Sequence, residues 1–172
     1  MGRSGCLARY HRHSRAAQCS DGVPKVSKLY RYRVSRHVAA DPATVWDVVS
    51  DHAGMAEWTP FRKSIVEKPG EPHPNGTGTV RALYLLGPPT REQVVEFEPP
   101  RRLRYMLLSG LPFRDYIGEV TVEPEGTDTR LTTELSFRTR IPGSQFFGPI
   151  AIRRGTNGAA RLAEKRAKYR SY

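Results

Sequence analysis

The chain has 172 residues, 38% of them hydrophobic, with a mean hydropathy of −0.57 and a net charge of +11. That size suits one domain with a real core and argues against a second, and no apolar run approaches the roughly 18 residues needed to span a bilayer. Charge of this size points first to nucleic acid, but it sits at the two ends: Arg3, Arg9, Arg12, Arg15, Lys25 and Lys28 against Asp21 at the start, and Arg153, Arg154, Arg161, Lys165, Arg166, Lys168 and Arg170 against Glu164 at the finish. Residues 29–152 are balanced, with no basic stripe to follow a phosphate backbone, which excludes nucleic acid as the expected partner.

Residues 1–27 mix Gly, Ser, Arg and His without apolar periodicity and read as a disordered basic leader, separate from a folded domain over 28–172. They lack the apolar core of a secretory signal, and an N-terminal extension fits them better than a targeting peptide. A cytoplasmic location is expected. Cys6 and Cys19, the only cysteines, lie in this leader, so the domain carries no thiol chemistry.

From Lys28 to Val38 the chain alternates, Tyr30, Tyr32 and Val34 against Arg31, Arg33 and Ser35, and predicts a strand. Asp41-Pro42 then opens a helix, with Asp41 as cap, Pro42 at the first helical position and Val45, Trp46, Val48 and Val49 as its buried stripe. Asp51–Gly54 breaks it, and Met55, Trp58 and Phe61 read as a second short helix. Strands are predicted at Ser64–Glu67, Thr77–Leu86, Arg91–Phe97, Leu103–Leu108, Tyr116–Val122 and Arg130–Arg138, separated by Gly-, Pro- and Asn-rich turns in the manner of an antiparallel meander. Ser144 to about Arg170 has helical period, with Gly155 and Gly158 as a place for a kink. The expected fold is α+β: a strand, two short helices, about six further antiparallel strands and a long C-terminal helix that covers the apolar face of the sheet.

Three segments give this order a resemblance. Val38–Asp51 followed by Trp58, Arg91–Leu103, and Val120–Leu131 resemble the strand-to-helix entry, the paired central strands and the last hairpin of the START-like, birch-pollen-allergen-like (SRPBCC) superfamily, within it the bacterial polyketide cyclase/dehydrase group. The resemblance spans about residues 28–170. It implies a helix-grip fold, in which about seven curved strands wrap the C-terminal helix around a cavity, and it is nearly silent on function.

No nucleophile elbow, phosphate-binding loop, metalloprotease helix or dinucleotide fingerprint is present, so no cofactor and no metal are expected and catalytic residues stay unknown. His37, His52 and His73 are dispersed and read as structural or surface residues. The candidate ligand-binding residues are polar aromatics on alternating strands, Tyr84, Tyr105 and Tyr116, with Trp58 near the mouth and Leu107, Val120, Leu135, Phe147 and Ile150 as apolar wall. Leu111 and Phe113 would cap the opening, with Gly110 as a hinge. Arg81, Glu92, Arg114 and Asp115 are the nearby charged candidates, each expected on the solvent face.

Three functions stay open at this point. The first is a carrier or sensor that holds a lipid, isoprenoid or polyketide-like molecule. The second is a polyketide cyclase, aromatase or dehydratase, which needs an acid or base in the pocket and would gain from a tyrosine beside an inward Glu or Arg. The third is a protein- or membrane-interaction module that uses the basic terminal helix. A hydrophobic small molecule is the expected partner, and a homodimer is left open.

Overall fold

The computed structural model describes residues 28–170, and the readings made for residues 1–27 lie outside the described residues. β1 (Leu29–Val38) is followed by α1 (Pro42–Val49), a 3-10 turn (Ala53–Glu57) and six strands: β2 (Lys63–Lys68), β3 (Val80–Tyr84), β4 (Thr90–Glu98), β5 (Arg102–Ser109), β6 (Arg114–Glu125) and β7 (Asp128–Arg138). A 3-10 turn (Ser144–Phe146) leads into α2 (Phe147–Arg170). The seven strands form one antiparallel sheet in the order β1-β7-β6-β5-β4-β3-β2, the architecture expected of a helix-grip fold.

Local chemistry explains the helical entry. The Thr44 amide donates to Asp41 Oδ1 at 3.0 Å and Pro42 occupies the first turn, so the helix starts where its orphan donors are met. Trp46 is buried on this helix and packs against Phe97 of β4 with ring centroids 5.3 Å apart. Asp51 Oδ1 then accepts from the Gly54 amide at 3.0 Å, which closes a new turn and turns the chain away from α1.

Register breaks curve the sheet. They fall between Val66 and Lys68, between Arg91 and Glu92, between Val94 and Glu96, and between Arg114 and Ile117, where Asp115 takes a left-handed φ of 50°. Bulges of this kind bend a strand and re-aim its side chains, and from the last one onward Tyr116, within it, shares the concave face with Gly118, Val120 and Val122. α2 lies across that face, packed on β1, β7 and α1. It runs as one helix where the sequence offered a kink: Gly158 is there because the carbonyl of Trp58 occupies the place a Cβ would take.

Two buried clusters hold helix and sheet together. One joins Val45, Trp46, Val94, Leu103, Val122, Ala160 and Ala163; the other joins Phe113, Leu135, Phe137 and Ile152, with the Phe113 and Phe137 rings stacked 4.2 Å apart. The space between the two clusters is not filled.

Candidate functional site

A cavity of about 210 Å³ lies between α2 and the concave face of the sheet, smaller than the ~300–1,000 Å³ of drug-sized sites. It exists because the facing residues are short: α2 presents Gly155, Thr156 and Ala159 where close packing would need large side chains, opposite Val120 and Thr133. At Gly118 the place of the missing side chain is taken by the ring of Tyr105 from the neighbouring strand.

The structure brings most of the expected wall residues to this cavity. Trp58, Tyr105, Tyr116 and Val120 line it, together with Leu111, Leu135, Phe147 and Ile150. Three candidates lie elsewhere. Tyr84 projects to the face opposite Arg81 and Leu83, half-buried beside the Lys63 ammonium at 6.0 Å, because strand alternation sends it outward. Leu107 and Phe113 pack into the second core cluster, beyond the cavity wall. The flap is thus anchored: Phe113 is buried and only Leu111 faces the cavity. Gly110, at φ 95°, is a close-packing position against the backbone of Pro89 and Thr90 rather than a free hinge.

The largest correction concerns charge. Arg81 and Glu92 were expected in solvent, yet they are 2% and 4% exposed and line the cavity. They face each other directly in the β3–β4 ladder. Arg81 donates to Glu92 Oε2 from Nη2 at 2.8 Å and from Nε at 3.0 Å. Its Nη1 reaches His52 Nδ1 at 3.0 Å, and its guanidinium lies 4.3 Å from the centre of the Tyr105 ring. On the other carboxylate oxygen, Glu92 Oε1 accepts the Tyr116 hydroxyl at 3.0 Å. Arg114 and Asp115 are exposed, as expected, and Asp115 pairs with Arg138 at 2.9 Å.

His52 is structural, as read, but fully buried, and it enters this network through Arg81. Its Nδ1 accepts from a cation, so Nε2 carries the proton and donates to the Asn75 carbonyl at 3.0 Å. Burial and the adjacent Arg81 charge push its pKa down to about 3, which keeps it neutral. Burial, reinforced by the Glu92 charge, raises the phenols of Tyr105 and Tyr116, so both stay protonated. A signal for the missed pair was present. Arg81 shares its parity with Leu83, and Glu92 shares its parity with Val94, but the hydrophilicity of the two side chains outweighed the alternation.

The site therefore has an apolar body and one polar end, where a compensated ion pair is held by a neutral imidazole and a protonated phenol. It can bury an apolar molecule and offer it a few oriented hydrogen bonds. Among the described residues, no three His, Cys, Asp or Glu side chains gather in a metal-binding arrangement, and no helix is long and apolar enough to cross a membrane.

Solved structures share this fold. The Zhui aromatase/cyclase from Streptomyces sp. R1128 superposes with a TM-score of 0.65 at 19% identity, over 84% of this chain and 97% of that one. A point mutant of Thalictrum flavum norcoclaurine synthase, in complex with a transition-state analogue, gives 0.64 at 13% identity, over 81% and 97%. The protein TTHA0849 from Thermus thermophilus gives 0.62 at 20% identity, over 83% and 100%. No curated protein sequence matches significantly. The family model described as polyketide cyclase / dehydrase and lipid transport matches residues 30–167, and the chain belongs to that family.

Proposed function

We propose that residues 28–172 bind a hydrophobic small molecule of lipid, isoprenoid or polyketide-like character in the cavity between sheet and α2, in the cytoplasm. The observation that carries this reading is an unfilled apolar space in an otherwise close-packed core, lined by Leu103, Leu131, Leu135, Val120 and Ile152. Burying apolar ligand surface there contributes roughly 25 cal/mol per Å² before the costs of association, so a small flat molecule reaches about micromolar affinity. Native mass spectrometry of the purified protein should find a co-purified hydrophobic compound, and a hydrophobic fluorescent probe should bind. Val120→Trp fills the space and should abolish probe binding while leaving the thermal melt cooperative. Wild-type protein that neither carries a compound nor enhances the probe refutes the reading.

A second reading, a cyclase, aromatase or dehydratase, is supported by the Tyr116–Glu92 hydrogen bond beside Arg81 at the cavity wall. A protonated phenol coupled to a carboxylate is a proton donor and relay at the polar end of the ligand. Turnover of a polyketide-type substrate that is lost in Tyr116→Phe, with ligand binding retained, would select this reading over a carrier.

A further inference from the structure

At the polar end of the cavity the Tyr116 hydroxyl has a definite hydrogen-bonding direction. Arg81 and Glu92 are the charged residues of its buried wall, and they neutralise each other. Nε and both terminal nitrogens of Arg81 are engaged, by Glu92 and by His52. His52 adds no charge, because its Nδ1 is the acceptor of the Arg81 contact. Tyr116, which lines the cavity, spends its one hydroxyl proton on Glu92 Oε1, so its oxygen turns lone pairs to whatever occupies the space.

We infer that the cavity selects neutral apolar molecules that carry a hydroxyl or phenol at their buried end, with Tyr116 as the specificity residue that accepts that proton and Glu92 as the residue that orients Tyr116. The inference rests on the binding reading above and goes further by stating the ligand's chemical class. A ligand hydroxyl completes a chain in which ligand O–H donates to Tyr116, Tyr116 to Glu92, and Arg81 holds the far side of the carboxylate. At the Tyr116 oxygen a ligand carboxylate brings only acceptors to an acceptor, and it adds a charge next to Glu92 that Arg81, already paired, does not balance. The remaining cation of the lining, Arg154, is exposed at the mouth, so a carboxylate attracted to it would leave its apolar body pointing inward and its polar end in water.

The test uses the full chain and one ring skeleton in four forms: 2-naphthol, 2-methoxynaphthalene, 2-methylnaphthalene and 2-naphthoate, each titrated at pH 7 against a bound fluorescent probe. 2-Naphthol should bind about threefold to tenfold more tightly than the methoxy and methyl compounds, the range of one net hydrogen bond, and 2-naphthoate should be the weakest. Tyr116→Phe should erase the preference for 2-naphthol over 2-methoxynaphthalene. Glu92→Gln leaves the Arg81 charge uncompensated and should make 2-naphthoate the tightest ligand. If Glu92→Gln does not fold, the wild-type series and Tyr116→Phe decide the matter. Failure of all four compounds to bind would overturn the binding reading and this inference with it. Binding of 2-methylnaphthalene as tight as that of 2-naphthol, a 2-naphthol preference that survives Tyr116→Phe, or a wild-type preference for 2-naphthoate would overturn the inference alone. Loss of that 2-naphthoate preference in Arg154→Gln would then place the polar end at the mouth.

Discussion

Arg91 and Glu92 are neighbours in the chain and belong to two different environments. Arg91 points to the outer face of β4 and pairs with Glu67 of β2, with Nε to Oε2 at 2.8 Å and Nη2 to Oε1 at 3.0 Å, the side chains 40% and 32% exposed. Glu92 points the other way and pairs with Arg81 at the same 2.8 Å, with side-chain exposures of 5% and 3%. Chemistry and distance match; solvent does not. Outside, water and salt screen the attraction, and such a pair adds little to stability. Inside, both charges have lost their hydration, so the pair is costly to build and far costlier to break, and an apolar pair of similar volume would serve stability as well. The outer face holds several further exchangeable pairs, such as Arg104 with Glu119 at 3.1 Å and Arg33 with Glu134 at 3.3 Å. The buried pair lies on the cavity wall, where its polarity is available to a ligand.

The comparison is sharpest when only one member of the buried pair is removed. Glu92→Leu strands the Arg81 guanidinium in the core and should destabilise the fold by about 3–5 kcal/mol, measured by urea unfolding. The double variant Arg81→Met with Glu92→Leu should recover most of that loss, because no uncompensated charge is left. A double variant as unstable as the single one would show that the pair serves stability first, and the contrast between the faces would collapse.

Acid provides an intermediate test. The folded pKa of His52 is about 3 against an ordinary value of 6.5, so between those limits the unfolded chain binds a proton that the folded protein refuses. The stability held by a neutral His52 is complete above pH 6.5 and is lost progressively as pH falls toward 3. From pH 7 to pH 5 the unfolding free energy should drop by about 2 kcal/mol, the product of roughly 1.5 pH units and ~1.36 kcal/mol per unit. His52→Asn should flatten that slope. A slope unchanged in the variant would mean that other groups drive it.

The smallest effect belongs to the outer face. Arg91→Ala should leave the melting temperature within repeat error, and raising the salt should erase whatever difference remains. A loss comparable to that of Glu92→Leu would put the two faces on the same footing.

Much of the fold was legible because its signals are local. Alternation in β1 placed Tyr30, Tyr32 and Val34 inward, Asp41-Pro42 marked the start of α1, and the turn residues spaced the meander. The cavity itself was less legible, since it depends on which short residues of α2 come to face which short residues of the sheet. Tyr84 was misplaced because β3 carries buried residues on both faces, Arg81 and Leu83 on one and Ala82 on the other, so period alone did not name the inner side. Phe113 was misread as a lid because its stacking on Phe137, a strand away, is visible only once β6 and β7 are paired.

The sequence by itself determined the order of elements, the balanced charge of the body and the two-sided character of the strands, since each follows from residues within a few positions of one another. Only the tertiary structure decided which charges went inside. Arg81 and Glu92 are separated by a turn and stand opposite each other through the β3–β4 register, while His52 arrives from the link after α1 and Tyr116 from within a bulge in β6. Burial of a charge is favourable only when its partners are already in place, and that condition belongs to the assembled sheet, not to any one segment.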